Sequence, residues 1–277
     1  MGLRIATNVA SQSVQKNLKE VSNAGNAELE RLSSGKRITK AADDAAGLAI
    51  STNLEAQTRG LRQATRNAND GISLVQTAEG GLNETSNILV RLRELTIQAA
   101  SDTVGDAERG FLDKEYQQLM TEVDRISAST TFNGTNLLNG EGKGSMDFQV
   151  GAFAGEQNKI TFDSSETNAS AAEIGIGGST ISNKDDALSS ISTVDEAIAK
   201  VSSQRSNLGA IQSRLASTVK NLEVQTINQD SARSVIQDVD VASSSAALAS
   251  NNVVKNAAVS TLSQANQIPM SALRLLS

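Results

Sequence analysis

A single proline, Pro269, stands in 277 residues. Proline is the strongest helix breaker, so its near-absence permits very long helices. Between residues 43 and 100 that freedom is used. Leu61, Ala64, Ala68, Ile72, Val75, Ala78, Leu82, Leu89, Leu92 and Ala99 follow one another mostly in steps of three and four. A stripe sustained over about five heptads predicts a coiled-coil-like helix, roughly 85 Å long at 1.5 Å per residue. Asp43 and Asp44 stand where that helix should begin, and acids there complement the helix macrodipole. Adjacent positions on a helix point in different directions, so the pair reads as a helix start rather than as two catalytic carboxylates. Gly71, Gly80 and Gly81 interrupt the stripe. They mark either local weakness or the close approach of a neighbouring helix.

Other segments repeat the helical spacing. Val14, Leu18 and Val21, then Leu29 and Leu32, form a stripe that Gly35 ends. After a turn at 101–106, Leu112, Tyr116, Leu119, Val123 and Ile126 alternate in fours and threes. A third long helix is expected over about 187–236, with Ile191, Val194, Ile198, Val201, Leu208, Ile211, Leu215, Val219 and Leu222 as its seam. A last helix is expected over about 241–266. Its stripe is of small residues, Ala242, Ala246, Ala249, Val253 and Ala257, which let helix backbones pack closely.

Residues 130–163 differ. They hold Phe132, Phe148, Phe153 and Phe162, two Asn-Gly pairs, and the alternating runs DFQVG and KITF. Asn-Gly is the strongest short hairpin signal and alternation marks half-buried strands, so one or two β-hairpins are expected. Phe132, Phe148 and Phe162 should bury against the long helices. Residues 164–186, rich in Ser, Asn, Thr and Gly, read as an exposed loop with little fixed structure. The fold class is mainly α: a long coiled-coil-like helix bundle with a small β-hairpin unit, plus a paired N- and C-terminal helical domain. The terminal domain takes residues 1–42 and 241–277, and the body takes 43–240.

Composition narrows the chemistry. Cysteine and histidine are both absent, which excludes a disulfide framework, zinc–thiolate sites, a Cys nucleophile and His-based catalysis. No enzyme activity, cofactor or metal is expected. No apolar run approaches the ~20 residues that span a bilayer, so no membrane insertion is expected. The start, MGLRIATNVASQSVQKNL, lacks the uninterrupted apolar core of a cleaved signal peptide. From the residues alone the chain is expected in the cytosol, unless it leaves by a route that needs no such signal. Residues 1–42 carry seven Lys/Arg against three Glu, residues 241–277 carry Lys255 and Arg274 with no acid, and the whole chain is −6. The positive charges at the ends are sparse and no aromatic is interleaved for base stacking, which argues against nucleic acid. The end of the chain is apolar instead, with Ile268, Met270, Leu273, Leu275 and Leu276. Leaving several such side chains in water forfeits ~1.5–3 kcal/mol each. The two chain ends can pack on each other, but narrow stripes cannot bury everything, and the remainder calls for other copies of the protein.

Several blocks, in one order, carry a resemblance. LSSGKRITKAADDAAGLAI (32–50), FNGTNLL (132–138), FQVGAFAGE (148–156), STVDEAIAKVSSQRSNLGAIQSRL (192–215) and LSQANQIPMSALRLL (262–276) resemble the conserved blocks of bacterial flagellins. The resemblance spans nearly the whole chain except about 164–186, where larger members carry surface domains. It implies a structural protein that polymerises with itself into the flagellar filament of swimming cells. It further implies export in unfolded form through the flagellar type III apparatus and an extracellular location. The implied partners are an export chaperone, the filament cap protein and the hook–filament junction protein. The terminal segments would line the inner tube, and the adjoining helices and hairpin would form the outer tube. Subunit assembly would fall to Leu3, Ile5, Val14 and Leu18 at one end and to Ile268, Met270, Leu273, Leu275 and Leu276 at the other. By position, Arg91, Leu95 and Glu115 match the surface that a host flagellin-sensing Toll-like receptor recognises. Two rival readings are a hook–filament junction protein, which shares similar ends, and a coiled-coil binding module with no filament role.

Overall fold

The computed structural model describes residues 7–142 and 144–274, with side chains described through residue 267. Helix α1 spans Val9–Ser34, α2 Ala45–Ala99, α3 Asp106–Ser129, α4 Ala171–Ile174, α5 Lys184–Gln237 and α6 Val241–Arg274. Strands β1 (Thr131–Phe132) and β2 (Thr135–Asn136) pair antiparallel, as do β3 (Ser145–Gln149) and β4 (Lys159–Asp163). This is the expected mainly α architecture with a small β-hairpin unit. Residues up to 56, together with those from 228 onward, form one compact unit, and 57–227 form the other. Helix α6 runs past the expected end near residue 266, through Pro269. Proline removes one backbone donor and strains the preceding turn, and the helix continues beyond it.

In the 57–227 unit, the α2 stripe is enclosed as its spacing demands. Ala68, Val75, Ala78, Leu82, Leu89, Leu92 and Ala99 have no exposed surface, and Val194, Val201, Leu208 and Leu215 of α5 match them. Arg93 meets Asp195 at 2.6 Å and Leu61 packs with Leu222, so the two helices run antiparallel. Tyr116 and Val123 of α3 close the same core. The C-terminal end of α2 is finished by a residue that apolar spacing does not reveal. Arg109, 7% exposed, donates from Nε to the Ala99 carbonyl at 2.8 Å and from Nη2 to the Ser101 carbonyl at 3.0 Å. Carbonyls at a helix end lack intrahelical partners, and this guanidinium supplies them, with Asp106 at 2.7 Å balancing its charge.

The first hairpin turns on Asn133 and Gly134, with φ of 49° and 74°, as a two-residue type I′ turn requires. The second Asn-Gly pair makes no hairpin. Gly140 has φ +72°, but the chain there bends towards Asn168, and β3 joins β4 through residues 150–158. Phe162 is fully buried, whereas Phe132 and Phe148 are only half-buried against the core. The glycines of α2 admit the β unit rather than a helix. A Cβ on Gly71 would stand 3.2 Å from the Phe148 ring, and one on Gly81 would stand 2.6 Å from Leu138 Cδ1 and 2.7 Å from Thr130 Oγ1. A Cβ on Gly80 would meet nothing.

The expectation of an exposed loop over 164–186 is wrong. Ala169, Ala171, Ile174, Ile176 and Ile181 are all buried in the main core. Composition misleads here because the small polar residues bind the neighbouring backbone while the isoleucines between them fill the core. Thr167 Oγ1 donates to the Leu137 carbonyl, the Ala169 N–H to the Leu138 carbonyl, and the Ala171 N–H to Asp124. One Asp113 oxygen accepts from both the Thr180 hydroxyl and the Ile181 N–H at 2.9 Å. The Tyr116 hydroxyl and Ser179 Oγ lie 2.7 Å apart, and burial raises the Tyr116 pKa above its ordinary value.

Two measurements test this packing. Gly80→Ala is expected to stabilise by about 0.5–1 kcal/mol through helix propensity, and Gly81→Ala to destabilise by about 1–3 kcal/mol through overpacking. Denaturant unfolding of the two variants checks the opposite signs. Ile181→Ala should cost about 2–5 kcal/mol, where an exposed loop would show almost no change in the same experiment.

Candidate functional site

The terminal unit is built on one helix pair. Asn8 starts α1, its Oδ1 accepting the Ser11 N–H at 3.0 Å, and its Nδ2 donates to the Ala265 carbonyl of α6 at 2.9 Å. Ser11 Oγ donates to Asn266 Oδ1 at 2.8 Å. Further along, Gly25 lies against Asn251, so α1 and α6 run antiparallel. The more covered positions of α1 include 11, 14, 18, 21, 25, 28 and 32, and those of α6 include 244, 248, 251, 258, 262 and 265. The steps of three and four on both sides describe a two-stranded seam. Val14 and Leu18 belong to it, each half-buried. Many seam positions are small or polar, among them Ser11, Gly25, Ser244, Asn251, Ala258 and Ala265.

The small-residue stripe of α6 lies elsewhere. Ala242, Ala246, Ala249, Val253 and Ala257 are all exposed, on the face about 180° from the seam at 100° per residue. The close packing expected of that stripe is therefore not with α1. Val9 and Leu29 of α1 and Val241, Val253, Val254 and Val259 of α6 are exposed as well. Leu3, Ile5, Leu275 and Leu276 lie outside the described residues. For Ile268, Met270 and Leu273 the helical backbone alone is described.

Two connections fix this pair to the ends of α2 and α5. Gly35, at φ +69°, ends α1. Lys36 then pairs with Asp238, with the Arg37 N–H donating to the Gln237 carbonyl at 2.7 Å and the Val239 N–H to the Gly35 carbonyl at 3.1 Å. Arg37 Nη2 donates to the Ile236 carbonyl at 2.7 Å near the end of α5. Asp43 Oδ2 accepts from the Lys40 and Thr39 N–H groups and the Thr39 hydroxyl, each at 3.0 Å. These bonds, led by the Lys40 N–H, hold its carboxyl below the usual range. Asp44 Oδ1 accepts the Gly47 N–H at 2.8 Å and opens α2. Ile38 is buried at this corner, where a Cβ on Gly47 would stand 2.8 Å from its tip.

On the 57–227 unit, the Arg91 guanidinium meets Glu115 of α3 and Glu94 of its own helix, each at 2.9 Å. Those two carboxylates, Glu115 first, raise its pKa. Leu95 is apart from them, 1% exposed in the core. The structure thus brings Arg91 and Glu115 together at the surface and places Leu95 beneath it.

Comparison with known proteins decides the family. The model of the bacterial flagellin N-terminal helical region matches residues 5–143, and that of the C-terminal helical region matches 191–276. The chain belongs to the bacterial flagellins. It is 42% identical over 269 residues to the flagellin of Halalkalibacterium halodurans, covering 97% of this chain and 98% of that one. It is 40% identical over 282 residues to the flagellar filament core protein flaB2 of Brachyspira hyodysenteriae, covering 98% and 99%. Among solved structures it resembles the crystal structure of Bacillus cereus flagellin, with a TM-score of 0.51 and 29% identity over 57% of this chain and 88% of that one. As a flagellin the chain is a structural filament protein and not an enzyme.

The placement of Arg91 and Leu95 makes a simple prediction for this flagellin. Exposed ion pairs contribute little to stability, so Arg91→Ala should leave the melting temperature nearly unchanged. Leu95→Ala empties a core position and should cost about 2–5 kcal/mol. Thermal melts of the two variants separate the surface residue from the core residue.

Proposed function

We propose that the subunit builds the filament by covering the outward faces of α1 and α6 with other copies of itself, and that this covering completes the terminal unit. One observation carries the reading. Among described residues of the terminal unit, the buried hydrophobic side chains are only Ile38 and Ala265, while Val9, Leu29, Ile50, Val235, Val241, Val253, Val254 and Val259 stay exposed. An isolated helix pair with so small an interior is marginal in water. Copies packed against those faces would add roughly 1.5–3 kcal/mol for each large apolar side chain they bury, so ordering is coupled to assembly. By family resemblance, Leu3, Ile5, Ile268, Met270, Leu273, Leu275 and Leu276 join Val14 and Leu18 in these contacts.

The finer parts of the function rest on the same family reading. The chain is exported unfolded through the flagellar type III apparatus, with a chaperone, the cap protein and the hook–filament junction protein as partners, and works outside the cell. A chain with no disulfide to break, and with a terminal unit of little core, suits that passage. The exposed Arg91–Glu115 pair is the part of the host-receptor surface that a partner can reach, and Leu95 supports it from below.

The test uses the outward face of α6. The double variant Ala246→Glu, Val253→Glu changes exposed positions, so the soluble monomer should unfold as the parent does. Electron microscopy after salt-induced polymerisation should show no filaments. Filaments in normal yield would overturn the reading. So would hydrogen exchange that finds α1 and α6 as protected in the dilute monomer as residues 61–99.

A further inference from the structure

Phe153 is 60% exposed in a chain with five phenylalanines and one tyrosine. Single exposed apolar residues are common, but this one is held out on a fixed loop. Gln149 Nε2 donates to the Gly151 carbonyl at 3.0 Å and to the Phe153 carbonyl at 2.9 Å. The Val150 N–H donates to the Asn158 carbonyl at 2.8 Å and the Asn158 N–H to the Gly155 carbonyl at 3.0 Å. Gly155 has φ +134°, a conformation open to glycine, and a Cβ on Gly151 would collide with Asn158 Oδ1. Ala152 anchors the loop on Leu61, Ala64 and Leu222. The backbone that carries the ring is therefore held in place, so little of the loop's ordering entropy remains to be spent on binding.

The same level of the subunit carries a receiving surface. A groove of about 420 Å³ runs between α2 and α5, lined by Arg62, Thr65, Arg66, Glu223, Thr226 and Ile227. Its walls are largely carbon, because arginine stems and threonine methyls cover apolar surface while their polar tips reach water. Ile227 is 67% exposed beside it. Arg66 is steadied by its own helix, with Nη2 donating to Gln63 Oε1 at 2.6 Å. A guanidinium beside an apolar slot suits an aromatic face. The charges agree too, since exposed Glu156 follows Phe153 on the loop and arginines flank the groove.

Loop and groove cannot meet within one copy. Gly60 touches Ala152 and Asn67 Nδ2 donates to the Gln149 carbonyl, so residues 60, 64 and 67 mark the α2 face under the loop. At 100° per residue, positions 62, 65 and 66 lie roughly opposite. We propose that Phe153 of one copy seats in the Arg62–Arg66–Ile227 groove of a second copy. Two different patches, on opposed faces at one level, make a heterologous side-to-side contact, which propagates into rings or helical arrays instead of closing as a dimer. The proposal rests on the self-assembly reading and adds a specific contact that the terminal helices do not supply.

Salt-induced polymerisation of the full chain tests it. Phe153→Ser should raise the critical concentration at least tenfold, and Phe153→Tyr should restore it to near the parent value. An unchanged critical concentration for Phe153→Ser would overturn the contact. The chain has no cysteine, which permits a second test. A minor fraction of Phe153→Cys copies is polymerised with an excess of Ile227→Cys copies and treated with a short bismaleimide. Mass spectrometry should find a cross-link joining the two peptides, and its absence from well-formed filaments would overturn the contact while leaving self-assembly standing. Failure of the unsubstituted chain to polymerise would instead overturn the self-assembly reading, and this contact with it.

Discussion

The antiparallel seam between α2 and α5 is the interaction on which the 57–227 unit depends. Helices of 55 and 54 residues gain little from propensity alone, and in proteins helical stability comes mainly from burying an apolar face. Here that face alternates alanine with leucine and valine, and Ala68, Ala78, Ala197, Leu82, Leu89 and Leu208 are all fully enclosed. Every other element is fitted to this pair. Gly71 and Gly81 leave room on α2 for Phe148, Leu138 and Thr130. Arg109 ties α3 to the α2 terminus. The 164–181 segment closes the remaining opening with its isoleucines.

What could be read from the sequence was what depends on period. Ten seam positions in α2, the 4,3 pattern of α3, and the Asn133–Gly134 hairpin all follow from rules that act within a few residues. What could not be read depends on partners distant in the chain. Ile174, Ile176 and Ile181 form no sustained helical or strand stripe, because Ile174 closes the single turn of α4 and the other two reach the core from irregular backbone; the N–H groups of Ala171 and Ile181 are bound by Asp124 and Asp113. Adjacent Gly80 and Gly81 look alike in sequence, and only the β unit distinguishes them. Arg109 resembles any surface arginine until the carbonyls it covers are known.

The α6 helix gives the sharpest case, on the face proposed for assembly. Two registers of apolar and small residues run along it, one through Leu248, Ala258 and Leu262 and the other through Ala242, Ala246, Ala249, Val253 and Ala257. Spacing alone does not rank them. The larger residues of the first register face α1 and leave the smaller set outside. A surface of alanine and valine gains little from any single side chain, so strong burial there needs close contact along several turns at once. That is a property suited to repeated, extended contact between identical copies rather than to one anchored knob.

The short crossing at Gly35–Arg37 and Gln237–Val239 has a further consequence. The small and polar seam positions Ser11, Gly25, Ser244, Asn251, Ala258 and Ala265 discriminate weakly between one heptad offset and the next, because they fill no distinctive hole. The backbone bonds at the crossing set the phase from one end. An insertion of seven residues in α1 alone would preserve its stripe yet shift every α1 residue beyond it by one heptad against α6. Length changes in the two ends of such a chain are therefore expected to arise in matched pairs, so that the two arms of the gene behave as one unit of variation although they lie more than two hundred codons apart.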